Sequence, residues 1–102
     1  MRVELNSMGY LLLDAETATA CFGAAEGALV EMTGEDLVLT AIGPRAVGGL
    51  MLKQRNARGD RSVLVVEQIR GATWSAGQRE ASWDAGARVL RVPLVAESVD
   101  AR

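Results

Sequence analysis

The sequence predicts an α+β domain, a mainly antiparallel sheet with one or two helices on one face. Three observations predict it. Short runs of alternating or continuous apolar residues recur along the 102-residue chain, as strands require. The charged, glycine-containing stretch Arg55 to Arg61 separates two such runs, as at a hairpin tip. Two Ala-rich segments, one on either side of that hairpin, have helical character. If the first of them, Thr17 to Met32, is β instead, the alternative is a small all-β barrel.

Taken in order, Arg2 to Asn6 alternates, with Val3 and Leu5 on one face, and reads as a half-buried strand. Ser7-Met8-Gly9 turns, and Tyr10-Leu11-Leu12-Leu13 reads as a buried strand. Asp14 is a plausible N-cap. After it Ala18, Cys21, Phe22, Ala25, Leu29 and Met32 share a helical face, while Gly23 and Gly27 weaken a helix by up to about 1 kcal/mol each. Two strands, Thr17 to Phe22 and Ala28 to Met32, fit the same residues, and both readings stay open. Thr33 to Asp36 is a turn and Leu37 to Ile42 a strand ended by Gly43-Pro44. Leu50 to Gln54 and Ser62 to Ile69 flank the hairpin tip. Ser62 to Val66 is apolar on both faces, which suits a central strand. Ser75 to Ala87 favours a short helix. Arg88 to Val95 is a strand with Leu90, Val92 and Leu94 facing in, and Pro93 suggests a sheet edge. Residues 1–96 form one domain and 97–102 a loose tail.

Composition narrows the function. Net charge is −2, with no bulk drive toward nucleic acid or anionic membrane. The single cysteine, Cys21, rules out an internal disulfide and fits a reducing compartment. No signal peptide or membrane-length apolar run is present, so a cytoplasmic location is expected. There is no histidine. General acid–base work would fall to carboxylates, Tyr10 or Lys53, none visibly paired with a second reacting group. Cys21 lies among Thr19, Ala20 and Phe22 and reads as a core cysteine. No cofactor or metal site is expected. Glu80 and Asp84 have no His or Cys partner, and read as surface charge.

Charge is unevenly distributed. Residues 1–36 carry seven acids and one base, Arg2, whereas residues 37–102 carry ten of the eleven basic residues. Opposite charges steer association, so the chain is expected to dock its own copies. The expected interface sets Arg55, Arg58 and Arg61 against Glu31, Glu35 and Asp36. Trp74 and Trp83 are either core packing or interface anchors, the latter because Trp and Arg are frequent hot spots. The basic hairpin otherwise reads as solvated, and it lacks the aromatics of a single-strand binder. Gly43 to Gly49 has the G-x-x-x-x-G half of a phosphate loop, but Gly49 and Leu50 stand where Lys and Ser or Thr are needed. Arg45, Gly48, Gly49 and Lys53 remain a candidate anion nest.

Ser7 to Leu13, Glu16-Thr17-Ala18 and the Ala-rich run to Ala28 are similar to the opening strand and first helix of bacterial microcompartment shell proteins. Ser62 to Gly71, the second Ala- and Gly-containing segment and Arg88 to Pro93 resemble the second half of that domain. The resemblance covers roughly two thirds of the chain. It implies a non-catalytic hexamer tiling into a sheet around a small pore. Glu26-Gly27 stands where that family carries an edge-lining lysine, and residues 33–50 have no clean counterpart.

The expected function is therefore a non-catalytic structural or interaction protein forming a homo-oligomer, shell-like if the resemblance holds, with an unknown protein partner left open. The alternative is a small-molecule or anion-binding regulatory module.

Overall fold

The computed structural model describes residues 1–43 and 46–96. β1 (Arg2–Leu5) and β2 (Tyr10–Leu13) form a hairpin with Val3 opposite Leu13 and Leu5 opposite Leu11. All four of these side chains are buried. Their turn is built by Asn6, whose Oδ1 accepts the amides of Met8 and Tyr10 at 3.0 Å each. Gly9 closes it at φ +88°, a left-handed conformation that glycine adopts without a side-chain clash.

The segment after Asp14 is both of its two readings in succession. α1 (Ala15–Phe22) starts where the Asp14 carboxylate accepts the Thr17 amide at 2.8 Å. It stops at Gly23, whose φ of +56° leaves the helix while its amide still reaches Thr19 O. Ala18, Cys21 and Phe22 enter the core. β3 (Gly27–Thr33) then alternates, with Ala28 and Val30 buried. The helical series through Leu29 and Met32 was thus a coincidence of two periods. β3 turns tightly at Gly34 into β4 (Asp36–Ile42), where Leu37 and Leu39 are buried and Ala41 is exposed.

The expected strand Leu50 to Gln54 breaks at Leu52 into β5 (Leu50–Met51) and β6 (Lys53–Gln54). β6 pairs with β7 (Arg61–Leu64) across the charged tip, as the hairpin reading required. β7 is shorter than expected. Beyond it Val65 donates to Gly9 O, and turns that bury Ile69 replace the strand's end.

Ser75 to Ala87 is not a helix. It forms β8 (Gly77–Glu80) and β9 (Ser82–Asp84). Alanine content suggested a helix, but Gly77 has φ +133°, and Arg79 points inward with Gln78 and Glu80 outward. This segment carried part of the shell-protein resemblance. β10 (Val89–Pro93) has Leu90 and Val92 buried, with Leu94 just past its end. It is an interior strand, contrary to the edge expected from Pro93. β9 pairs with it only as far as Arg91, so Pro93 has one neighbour, Asp36, and no ladder bond is missing on the β9 side.

The strands make two antiparallel five-stranded sheets, β6-β7-β2-β1-β8 and β5-β3-β4-β10-β9. They enclose an aliphatic core and are joined at two corners without closing into a barrel. At Leu52 the chain crosses from the second sheet to the first while donating to Glu26 O at 2.9 Å. At Ala81 it crosses the other way, donating to Met1 O at 2.7 Å. The architecture is the mainly antiparallel α+β class with a single helix. Among the described residues no helix is long and apolar enough to cross a membrane. The expected tail, 97–102, lies outside the described residues.

Candidate interaction surface

Three of the four anion-nest candidates come together. Gly48, Gly49 and Lys53 line an open groove of about 1170 Å³ with Gly27, Ile42 and Leu50. Arg45 lies outside the described residues. The glycines have packing reasons to be there. A Cβ on Gly49 would meet Ile42 Cδ1 at 2.0 Å and Ala28 O at 3.2 Å. Gly48 has φ +89°. Arg61 also lines the groove, but its guanidinium donates to Ala25 O at 2.8 Å and Gly23 O at 3.0 Å. It ties the helix exit to β7, which leaves Lys53, exposed at the rim, as the cation available to an anion there among the described residues.

The hairpin tip is organised from within by Asp60. Its carboxylate accepts the Ala15 amide, Asn56 Nδ2 and Arg58, each at 2.8 Å. Those bonds, from Asn56 first and then Arg58, hold the carboxyl below the usual carboxylate range. The basic tip therefore docks on the start of α1 in its own chain. Arg55 lies beside Asp14 and Asp60 in a shallow depression of about 300 Å³ that also holds Arg2 and Glu4. Glu31 sits on the outer face of the second sheet, across Val38 from Arg91. Glu35 and Asp36 are at the β3–β4 turn. The charge split seen along the sequence is thus folded into mixed surfaces, because oppositely charged thirds are strand neighbours.

Trp74 and Trp83 are half-buried against the core. Arg79 is fully buried, and its guanidinium donates to Ser75 O, Pro93 O at 3.1 Å and Leu94 O at 2.9 Å. Cys21 is buried with its sulfur 3.5 Å from Met1 Sδ, and burial pushes its thiol up. That is the opposite of an activated nucleophile. Among the described residues no three His, Cys, Asp or Glu side chains gather as a metal site.

No family model, curated protein or solved structure matches the chain.

A surface not marked by any single residue type is the outer face of the first sheet. Register puts Lys53, Ser62, Leu12, Glu4 and Gln78 in one row across β6, β7, β2, β1 and β8. Leu64 and Tyr10 pair in the neighbouring row. Leu12 and Tyr10 are half-buried and Leu64 is 43% exposed, while Met51, on the strand leading into β6, is 71% exposed. Helix α1 packs into the core, and on this outer face Ser62 is buried, Glu4 half-buried and Lys53 and Gln78 exposed. The signal was present in the sequence as two-sided apolarity in Tyr10 to Leu13 and Ser62 to Val66. Such strands are normally covered on both faces.

Proposed function

We propose that the protein is a non-catalytic interaction module that assembles with copies of itself. One observation carries the reading. β2 and β7 are adjacent and carry Tyr10, Leu12 and Leu64 on the outer face of the first sheet, half-buried or exposed, opposite the buried Leu11, Leu13 and Val63. Contiguous exposed apolar side chains on a small domain mark contact surfaces. The absence of histidine and the buried, poorly ionised Cys21 favour binding over catalysis. The test is solution mass by light scattering from about 10 µM to about 1 mM, a range spanning weak association. A mass that rises above one chain supports the reading. A monomer throughout overturns it.

A second reading, an anion-binding module, is favoured by the convergence of Gly48, Gly49 and Lys53 on one groove. A rise in melting temperature with phosphate or small carboxylates, lost in Lys53→Ala, supports it by mass action. No shift across the anion panel overturns it.

A further inference from the structure

We propose that the outer face of the first sheet is an isologous dimer interface, two copies packing face to face about a two-fold axis running between β7 and β2. The inference rests on the self-association reading and names its surface and its partner. In the row Lys53–Ser62–Leu12–Glu4, the cation is on β6 and the anion on β1, one strand to either side of the β7–β2 pair. Three strand spacings separate them, about 14 Å. That is too far for an ion pair within the chain, and no such pair is formed.

A two-fold axis along the β7–β2 boundary reverses the strand order of the facing copy. Lys53 of each copy then lies over Glu4 of the other, twice. In the adjacent row Leu64 lies over Tyr10, twice, and in the central row Leu12 lies over Ser62, a side chain already buried within its own chain. The contact has an apolar centre and a charged rim of the right signs. The centre supplies affinity and the rim sets orientation, since exposed pairs contribute only weakly. An axis across the strands through the same row would set Lys53 on Lys53 and Glu4 on Glu4.

The opposite end of the face limits the contact. Arg2, Asp14, Arg55 and Asp60 line a depression there that reaches Leu12, Glu4 and Gln78 of the central row. Continued to that end, the same axis would bring Arg2 over Arg55 and Asp14 over Asp60, like charge on like. Facing sheets cross at roughly 30° because each is twisted, which carries those ends apart. The interface is therefore the half of the face holding Leu12, Leu64 and Tyr10. Strands of four residues span about 13 Å and five strands about 19 Å, so the footprint is small and the dimer weak, micromolar or above.

The experiment is sedimentation equilibrium up to about 1 mM on the wild type, Leu64→Arg, Lys53→Glu, Glu4→Lys and the double swap, with circular dichroism on each. A wild-type dimer is expected. Leu64→Arg raises its dissociation constant at least about tenfold, since a charge is then buried against Tyr10. Each single swap weakens the dimer and the double swap restores it. A wild-type monomer at every concentration overturns self-association and this interface together. An oligomer indifferent to Leu64→Arg, or swaps without rescue, overturns this interface and leaves self-association standing. If Leu64→Arg unfolds the chain, the swap pair decides, because rescue requires two folded partners.

Discussion

Arg79 reaches across the core to donate to the carbonyl of Leu94 at 2.9 Å. It projects inward from β8 opposite Val3 and binds the chain just beyond β10, so one guanidinium fastens the first sheet to the exit of the second. Burial alone disfavours its charge. Three backbone carbonyls offset that cost. Removing the side chain would strand those carbonyls and leave a cavity. Arg79→Ala is expected to destabilise the fold by about 3 kcal/mol or more, read from urea unfolding.

Gly9 is the next most restrictive position. A Cβ there would fall 2.5 Å from Val66 Cβ, and the residue already sits at positive φ. Strain and overpacking add, so Gly9→Ala is expected to cost about 2–4 kcal/mol in the same measurement. Gly34, also at positive φ but with open space around it, should lose only the conformational part.

Asp60 makes the fold acid-sensitive. Its folded carboxyl titrates below its ordinary value of 3.8, so the stabilisation is complete above that value and is lost as pH falls through the lower, folded one. Asp60→Asn should therefore lower the melting temperature at pH 7, and the gap to wild type should close in strong acid. A gap independent of pH would show that geometry, not charge, holds the tip to α1.

Cys21 should resist thiol reagents in the native state. Burial raises its thiol pKa and blocks access, so labelling is expected to be slow in buffer and fast in denaturing urea. Equal rates would mean that α1 opens readily.

Lys53→Ala should be nearly neutral for stability, within about 0.5 kcal/mol, because the side chain is exposed. Any effect on anion-dependent melting would then report the groove itself.

Strict alternation made parts of the fold legible. Leu90, Val92 and Leu94 were assigned inward from it, and the tip between Gln54 and Ser62 from its charge and glycine. The helix start was legible at Asp14, where the cap chemistry is local. Ser75 to Ala87 was not, because an inward arginine breaks the apolar–polar pattern that identifies a strand. The break at Leu52 was not either. Side-chain pattern says which face a residue takes, but not which neighbouring strand receives its backbone bonds. Among the site residues, Gly48, Gly49 and Lys53 converge because they lie close in sequence. Charge alone places Arg61 at an interface, since nothing in composition reveals that the carbonyls of Gly23 and Ala25 await it.

The position of β1 has a consequence for synthesis. One of its neighbours, β2, emerges within a few residues, whereas the other, β8, begins at Gly77. A growing chain therefore carries an unsatisfied strand edge until most of its length has been made. During that interval the unpaired side of β1 offers amides and carbonyls to any extended segment nearby. Glu4, pointing outward from that strand, puts a negative charge beside the open edge, and charge is one of the means by which waiting edges are kept from pairing with the wrong chain.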